Sequence, residues 1–139
     1  MIYQEIEHLI RELGTRDPKL IAEEMGIDIL YLPYAELYGI AACLGDYKLI
    51  GVNSELDEPI KKLVIAHELG HFVLHPEGNF YFVMDKTMFY DKFEYQANMF
   101  AINLCIGEEA AKYDFVKELA AGKVDNLIKI LSIAQMQNQ

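Results

Sequence analysis

Apolar positions recur at helical spacing from the start of the chain. Ile6, Leu9, Ile10 and Leu13 share one face, which predicts an amphipathic helix ended by Gly14. Asp17 followed by Pro18 is a cap and first-turn signal, and Leu20, Ile21 and Met25 carry a second short helix to Gly26. The pattern then turns strand-like. Residues 27–32 close at Pro33, and 40–44 and 48–52 flank Gly45-Asp46-Tyr47, the spacing of a β-hairpin. Asp57 as a cap and Pro59 in the first turn open a helix expected to run to about residue 74. Its apolar residues Ile60, Leu63, Val64, Ile65, Leu69, Phe72, Val73 and Leu74 cover most of the circumference. Such a helix is buried on several sides, so every polar residue on it needs a reason. Residues 79–84 read as a strand or an ordered loop. Residues 91–106 read as a second strong helix, on which Ala97, Ala101 and Cys105 form a row of small side chains that lets another helix approach closely. Residues 108–121 and 124–136 read as two more helices around Gly122, the last with the stripe Val124, Leu127, Ile128 and Leu131. Helices at both ends and strands between them predict an α+β fold.

Length and charge narrow the function. At 139 residues the chain reads as one domain spanning 1–139. Twelve Lys and Arg face 22 Asp and Glu, a net charge of −10, so direct DNA or RNA binding is not expected. The acidic surface favours a basic partner, mainly through the association rate, or serves only solubility. Cys43 and Cys105 sit in apolar stretches far apart and read as buried thiols, not a disulfide framework. The first seven residues lack the basic stretch of a signal peptide, and no apolar run approaches the ~18 residues of a membrane span. A cytoplasmic protein with no membrane partner is expected.

The chemistry lies in His67-Glu68-Leu69-Gly70-His71, a match to H-E-x-x-H. On a helix, residues four apart are offset by only about 40°, so both imidazoles leave one face and can hold one Zn²⁺ between them. Glu68 projects beside that face, where it can take a proton from a zinc-activated water and pass it to a leaving amine. Two histidines and a glutamate inside an apolar helix would cost several kcal/mol without partners. The alternative is a hydrogen-bonded pair of core histidines. A catalytic zinc takes a third protein ligand. His75 lies ~12 Å along a continuous helix from His67, too far unless the helix breaks near Pro76, and reads as a supporting residue. Glu94, 23 residues after His71 on the second strong helix, is the better third ligand. It could equally be a solvated acid near a helix N-terminus, and Asp91 is the rival carboxylate. Asn98, one turn on from Glu94, can accept the outer N–H of a ligating histidine. Tyr81, Tyr90 and Tyr95 are candidates to stabilise an oxyanion, and none is assigned.

The run from His67 through Phe72-Val73-Leu74-His75, followed by Glu94-x-x-Ala97-Asn98-x-Phe100-Ala101, resembles the ImmA/IrrE family of metallopeptidases. Asp17-Pro18 through Gly26-Ile27 and Ile50-Gly51-Val52-Asn53 extend the likeness upstream. It covers roughly the first three-quarters of the chain, and residues 107–139 match weakly. The family pattern of Leu-Leu and a Pro after Phe-Ala is replaced here by Leu104-Cys105-Ile106-Gly107. The resemblance implies a zincin-like fold, with a small, mostly antiparallel sheet beside two active-site helices. It implies one zinc per chain held by His67, His71 and Glu94, with Glu68 as acid and base. It also implies a helix-turn-helix repressor of the phage or XRE type as substrate, cleaved to relieve repression. The other functions weighed are a non-catalytic protein that masks a repressor and a zinc hydrolase of small amides.

Overall fold

A computed structural model describes residues 2–33, 36–75, 78–85, 91–122 and 126–137. Helix α1, Ile2–Leu13, buries Ile6 and ends at Gly14, which takes the left-handed φ of 70° that glycine adopts without strain. Helix α2, Pro18–Glu24, starts where the Asp17 carboxylate accepts from the Lys19 amide. Strands β1 (Asp28–Leu32), β2 (Leu37–Leu44) and β3 (Tyr47–Asn53) follow. The β2–β3 hairpin pairs Leu44 with Tyr47 across Gly45-Asp46. Gly45 has a φ of 61° and, among the described residues, no non-glycine residue has a positive φ, the combination a II′ turn requires.

Strand β4, Phe80–Asp85, resolves the strand-or-loop alternative in favour of a strand. The sheet order is β1-β3-β2-β4. β2 runs antiparallel to both β3 and β4, and β1 runs parallel to β3. The sheet is therefore mixed and mostly antiparallel. Helix α3, Glu58–Leu74, packs across β2 and β3 and against α4, Lys92–Cys105. Every residue of α3 from Leu63 to Phe72 is buried, as its apolar circumference predicts.

Two glycines set how closely these layers meet. A Cβ on Gly39 of β2 would lie 2.6 Å from Val64 Cγ1 of α3 and 2.8 Å from the Gly51 carbonyl. A Cβ on Gly70 of α3 would lie 3.2 Å from both Ala97 Cα and Phe100 Cβ of α4. The small-residue row on α4 thus meets a glycine on α3 at Ala97, with the Phe100 side chain packed against the same glycine.

Two expectations need correction. Asp57 stands at the N-cap of α3 but makes no side-chain cap hydrogen bond; only its carbonyl serves, accepting from the Lys61 amide at 2.8 Å. Residues 108–121 are not one helix. Helix α5, Glu108–Ala111, stops before Tyr113, whose extended backbone starts α6, Asp114–Ala120. Tyr113, Asp114 and Phe115 are all modest helix formers, and Asp114 favours a new first turn. The last helix, α7, is Asn126–Gln137, with Val124 of the predicted stripe outside the described residues. Among those residues, no helix is long and apolar enough to cross a membrane.

Candidate metal centre

Helix α3 carries His67, Glu68 and His71 into the interior, each with 0% exposure. One turn separates the two imidazoles, whose ring centroids lie 5.3 Å apart. Each of the three residues offers a nitrogen or oxygen, and these atoms all lie within 4.8 Å of one another. Helix α4 supplies the opposite side. Glu94 reaches Nε2 of His67 with Oε2 at 2.9 Å and Nε2 of His71 with Oε1 at 2.8 Å. One carboxylate therefore spans both histidines. Glu68 Oε1 is 3.7 Å from the same nitrogen of His67.

The rival acid is committed elsewhere. Asp91 is the N-cap of α4, and its Oδ1 accepts from the Glu94 amide at 2.9 Å. That bond fixes the first turn and so the direction in which Glu94 leaves the helix. His75 closes α3, with its ring edge-on to Phe93 at 4.7 Å and 6.3 Å from His71. Its Nε2 is buried with no hydrogen-bond partner among the described residues. Burial lowers the His75 pKa, and the Lys92 charge lowers it further.

The two carboxyls are driven in opposite directions. Burial would raise Glu94, but the close approach and charges of His67 and His71 outweigh it and hold the carboxyl at about 2. Glu68 is raised well above the ordinary carboxyl range, first by complete burial and then by the Glu94 charge. His71 is lowered by burial, against the opposing pull of Glu94.

The donor set fits a divalent metal. Both oxygens of Glu68 and both nitrogens of His71 are buried without a hydrogen bond among the described residues. The 2.8 Å approach of His71 to Glu94 is thus a close charge contact lacking hydrogen-bond geometry. Leaving four such atoms unsatisfied in a protein interior costs several kcal/mol. Imidazole and carboxylate donors converging from two helices suit zinc and several other divalent ions.

Sequence reasoning misses two neighbours of the centre. Phe82 of β4 stacks on the His71 ring, 3.9 Å between centroids and 7° from parallel. Strand alternation on 80–84 is the one signal that could have placed it. The Asn98 amide nitrogen donates to the Ala120 carbonyl at 2.8 Å, a backbone partner with no side-chain signature. Of the tyrosines, Tyr81 is 64% exposed on β4, opposite in alternation to Phe82. Tyr95 lines an outer cleft with Met99 and Asn103. Tyr90 lies outside the described residues.

Comparison with known proteins agrees with this geometry. A peptidase family model described as the IrrE N-terminal-like domain matches residues 22–119. The match begins after Asp17-Pro18 and runs past residue 107. The chain is 32% identical over 108 residues to the uncharacterized immunity region protein 2 of Bacillus phage phi105, covering 76% of this chain and 68% of that one. It is 31% identical over 111 residues to the metallopeptidase ImmA of Bacillus subtilis strain 168, covering 78% of this chain and 64% of that one. No solved structure matches. With two histidines and a glutamate converging from α3 and α4, and a family match over residues 22–119, this chain belongs to the ImmA/IrrE family of metallopeptidases.

Proposed function

We propose that the protein is a zinc-dependent endopeptidase that cleaves a helix-turn-helix repressor in the cytoplasm. One observation carries the reading: the Glu94 carboxylate spans the Nε2 atoms of His67 and His71 while Glu68 stands beside them, buried and unsatisfied. His67, His71 and Glu94 would hold one zinc ion per chain. When bound, zinc polarises the scissile carbonyl and makes an adjacent water more acidic.

The other work falls to the chain's own residues. Glu68 takes a proton from the attacking water as its oxygen bonds to the carbonyl carbon. The same carboxyl then delivers that proton to the amide nitrogen as the C–N bond breaks. A carboxyl whose pKa is raised by burial is suited to this, because it is a stronger base than an ordinary carboxylate. Glu94 has the opposite disposition and stays ionised, as a ligand must. The apolar surroundings of α3 exclude bulk water and strengthen the interactions inside.

The substrate class is supported by the phage relative, whose name places it in an immunity region, and by the net charge of −10, which favours approach of a basic protein. Glu68→Gln is expected to retain one zinc per chain by elemental analysis and to lose cleavage by at least about 10²-fold. Cleavage that survives the substitution would overturn the mechanism. A Glu68→Gln protein that still relieves repression in a reporter strain would show masking of the repressor, not hydrolysis, to be the function.

A further inference from the structure

Helices α6 and α7 lie beyond the two helices that carry the centre, yet one backbone group of α6 reaches into it. Ala120 is the last residue of α6 and fully buried. Its carbonyl is among the last four of the helix, which have no intrahelical partner. It accepts instead from Asn98 Nδ2 at 2.8 Å. That bond fixes the orientation of the amide, because only the nitrogen end can donate to a carbonyl. Oδ1 of Asn98 then faces His67 Nδ1 at 2.9 Å. An amide oxygen only accepts, so Nδ1 of His67 must carry the proton. A neutral imidazole has one N–H, which leaves Nε2 with a bare lone pair. That lone pair faces Glu94 Oε2 at 2.9 Å. At this distance the two need a positive charge between them: a second ring proton in the metal-free protein, or a metal ion when one is bound.

We propose that the C-terminal helices are part of the metal-site machinery: the Ala120 carbonyl orients Asn98, and Asn98 holds His67 in the Nδ1–H tautomer, so that Nε2 is the nitrogen that binds metal. Asn98 is a positioning residue in this arrangement. The end of α6 is itself tied down, since Asn126 Nδ2 of α7 donates to the Leu119 carbonyl at 3.0 Å. The chain of bonds therefore runs from α7 through α6 and α4 to a histidine on α3. The family match ends at residue 119, one short of Ala120. An acceptor supplied by the backbone needs no particular side chain at that position.

The proposal rests on reading His67 as a metal ligand, and the test separates the two. Zinc affinity is measured by competition with a chromogenic chelator for the wild type, Asn98→Leu and Asn126→Ala. The ring ¹⁵N resonances of His67 are recorded in the zinc-loaded wild type. The expected results are Nε2 ligation with a protonated Nδ1, a 10- to 100-fold loss of affinity (about the range for such partners) in Asn98→Leu, and a smaller, several-fold loss in Asn126→Ala. A wild type that binds no zinc overturns the metal reading itself. Zinc binding with His67 ligated through Nδ1, or undiminished affinity in Asn98→Leu, overturns the positioning role. Unchanged affinity in Asn126→Ala removes the C-terminal helices from it. The nuclear resonances come from the wild type, so they decide the tautomer even if Asn98→Leu does not fold.

Discussion

At the scale of single residues, Cys105 and Glu94 show how surroundings decide chemistry that composition leaves open. Burial pushes the Cys105 thiol from its ordinary value of 9.0 to about 12, with nearby Lys62 only partly offsetting it. The thiolate is the reactive form, so the native thiol should resist iodoacetamide at pH 8 and react on unfolding in urea. Mass spectrometry of the alkylated protein checks this. The sign of the linked effect follows. The folded value is raised, so the contribution to stability is complete below 9.0 and is lost as pH rises toward about 12. Cys43 was legible in the sequence as a buried thiol because its neighbours are apolar, whereas Cys105 is only partly buried although its neighbours are apolar too. The choice between Asp91 and Glu94 was not legible. It depends on which of two acids, three residues apart, caps α4 and which points inward, and the Asp91–Glu94 amide bond makes that choice. His67 and His71 were legible because helical geometry alone puts residues four apart on one face. Phe82 was not, since its contact crosses from a strand to a helix.

At the scale of elements, the closest packing lies between α3 and α4. Substituting Gly70 by Ala would gain up to about 1 kcal/mol of helix propensity. It would also set a methyl 3.2 Å from the Ala97 backbone and from Phe100, and overpacking of this kind costs about 1–3 kcal/mol. The cost outweighs the gain because one of the crowded atoms is backbone and cannot rotate away. Gly70→Ala should therefore lower stability by about 1 kcal/mol in urea unfolding, with little change in the m-value. The small-residue row on α4 announced this contact, but the sequence did not identify Gly70 as its counterpart. Elements with strong periodicity were readable in the same way, as α3 and the β2–β3 hairpin show. The break between α5 and α6 was not, because Lys112 and Tyr113 carry neither the glycine nor the proline that usually marks one.

At the scale of the molecule, a metal that binds only the folded chain adds to its stability by mass action. At a free concentration 1,000 times Kd the gain is about 4 kcal/mol, and for a chain of this size each kcal/mol moves Tm by roughly 2–4 °C. A chelator such as EDTA should therefore lower Tm by on the order of 10 °C, read by differential scanning fluorimetry and restored by added zinc. Glu94→Ala should show little further response to the chelator. The overall α+β architecture was legible from the order of periodicities, helical, then alternating, then helical. The parallel pairing of β1 with β3 was not, since it depends on which neighbour a strand finds in space.

The bulge between Leu37 and Gly39, where β2 meets β4, has a consequence for how this chain can vary. On one side of it β4 keeps an unbroken register from Met84 opposite Gly39 to Phe80 opposite Cys43, and this register puts Phe82 under the His71 ring and Tyr81 outside. Side chains on a strand alternate with a period of two, so a slip of one residue would exchange those two faces along the whole strand. A phenol or Val83 would then press on His71 in place of Phe82. β4 can thus accept many changes of identity at Tyr81 but no change in the number of residues between Met84, which pairs with Gly39 beside the bulge, and Phe82.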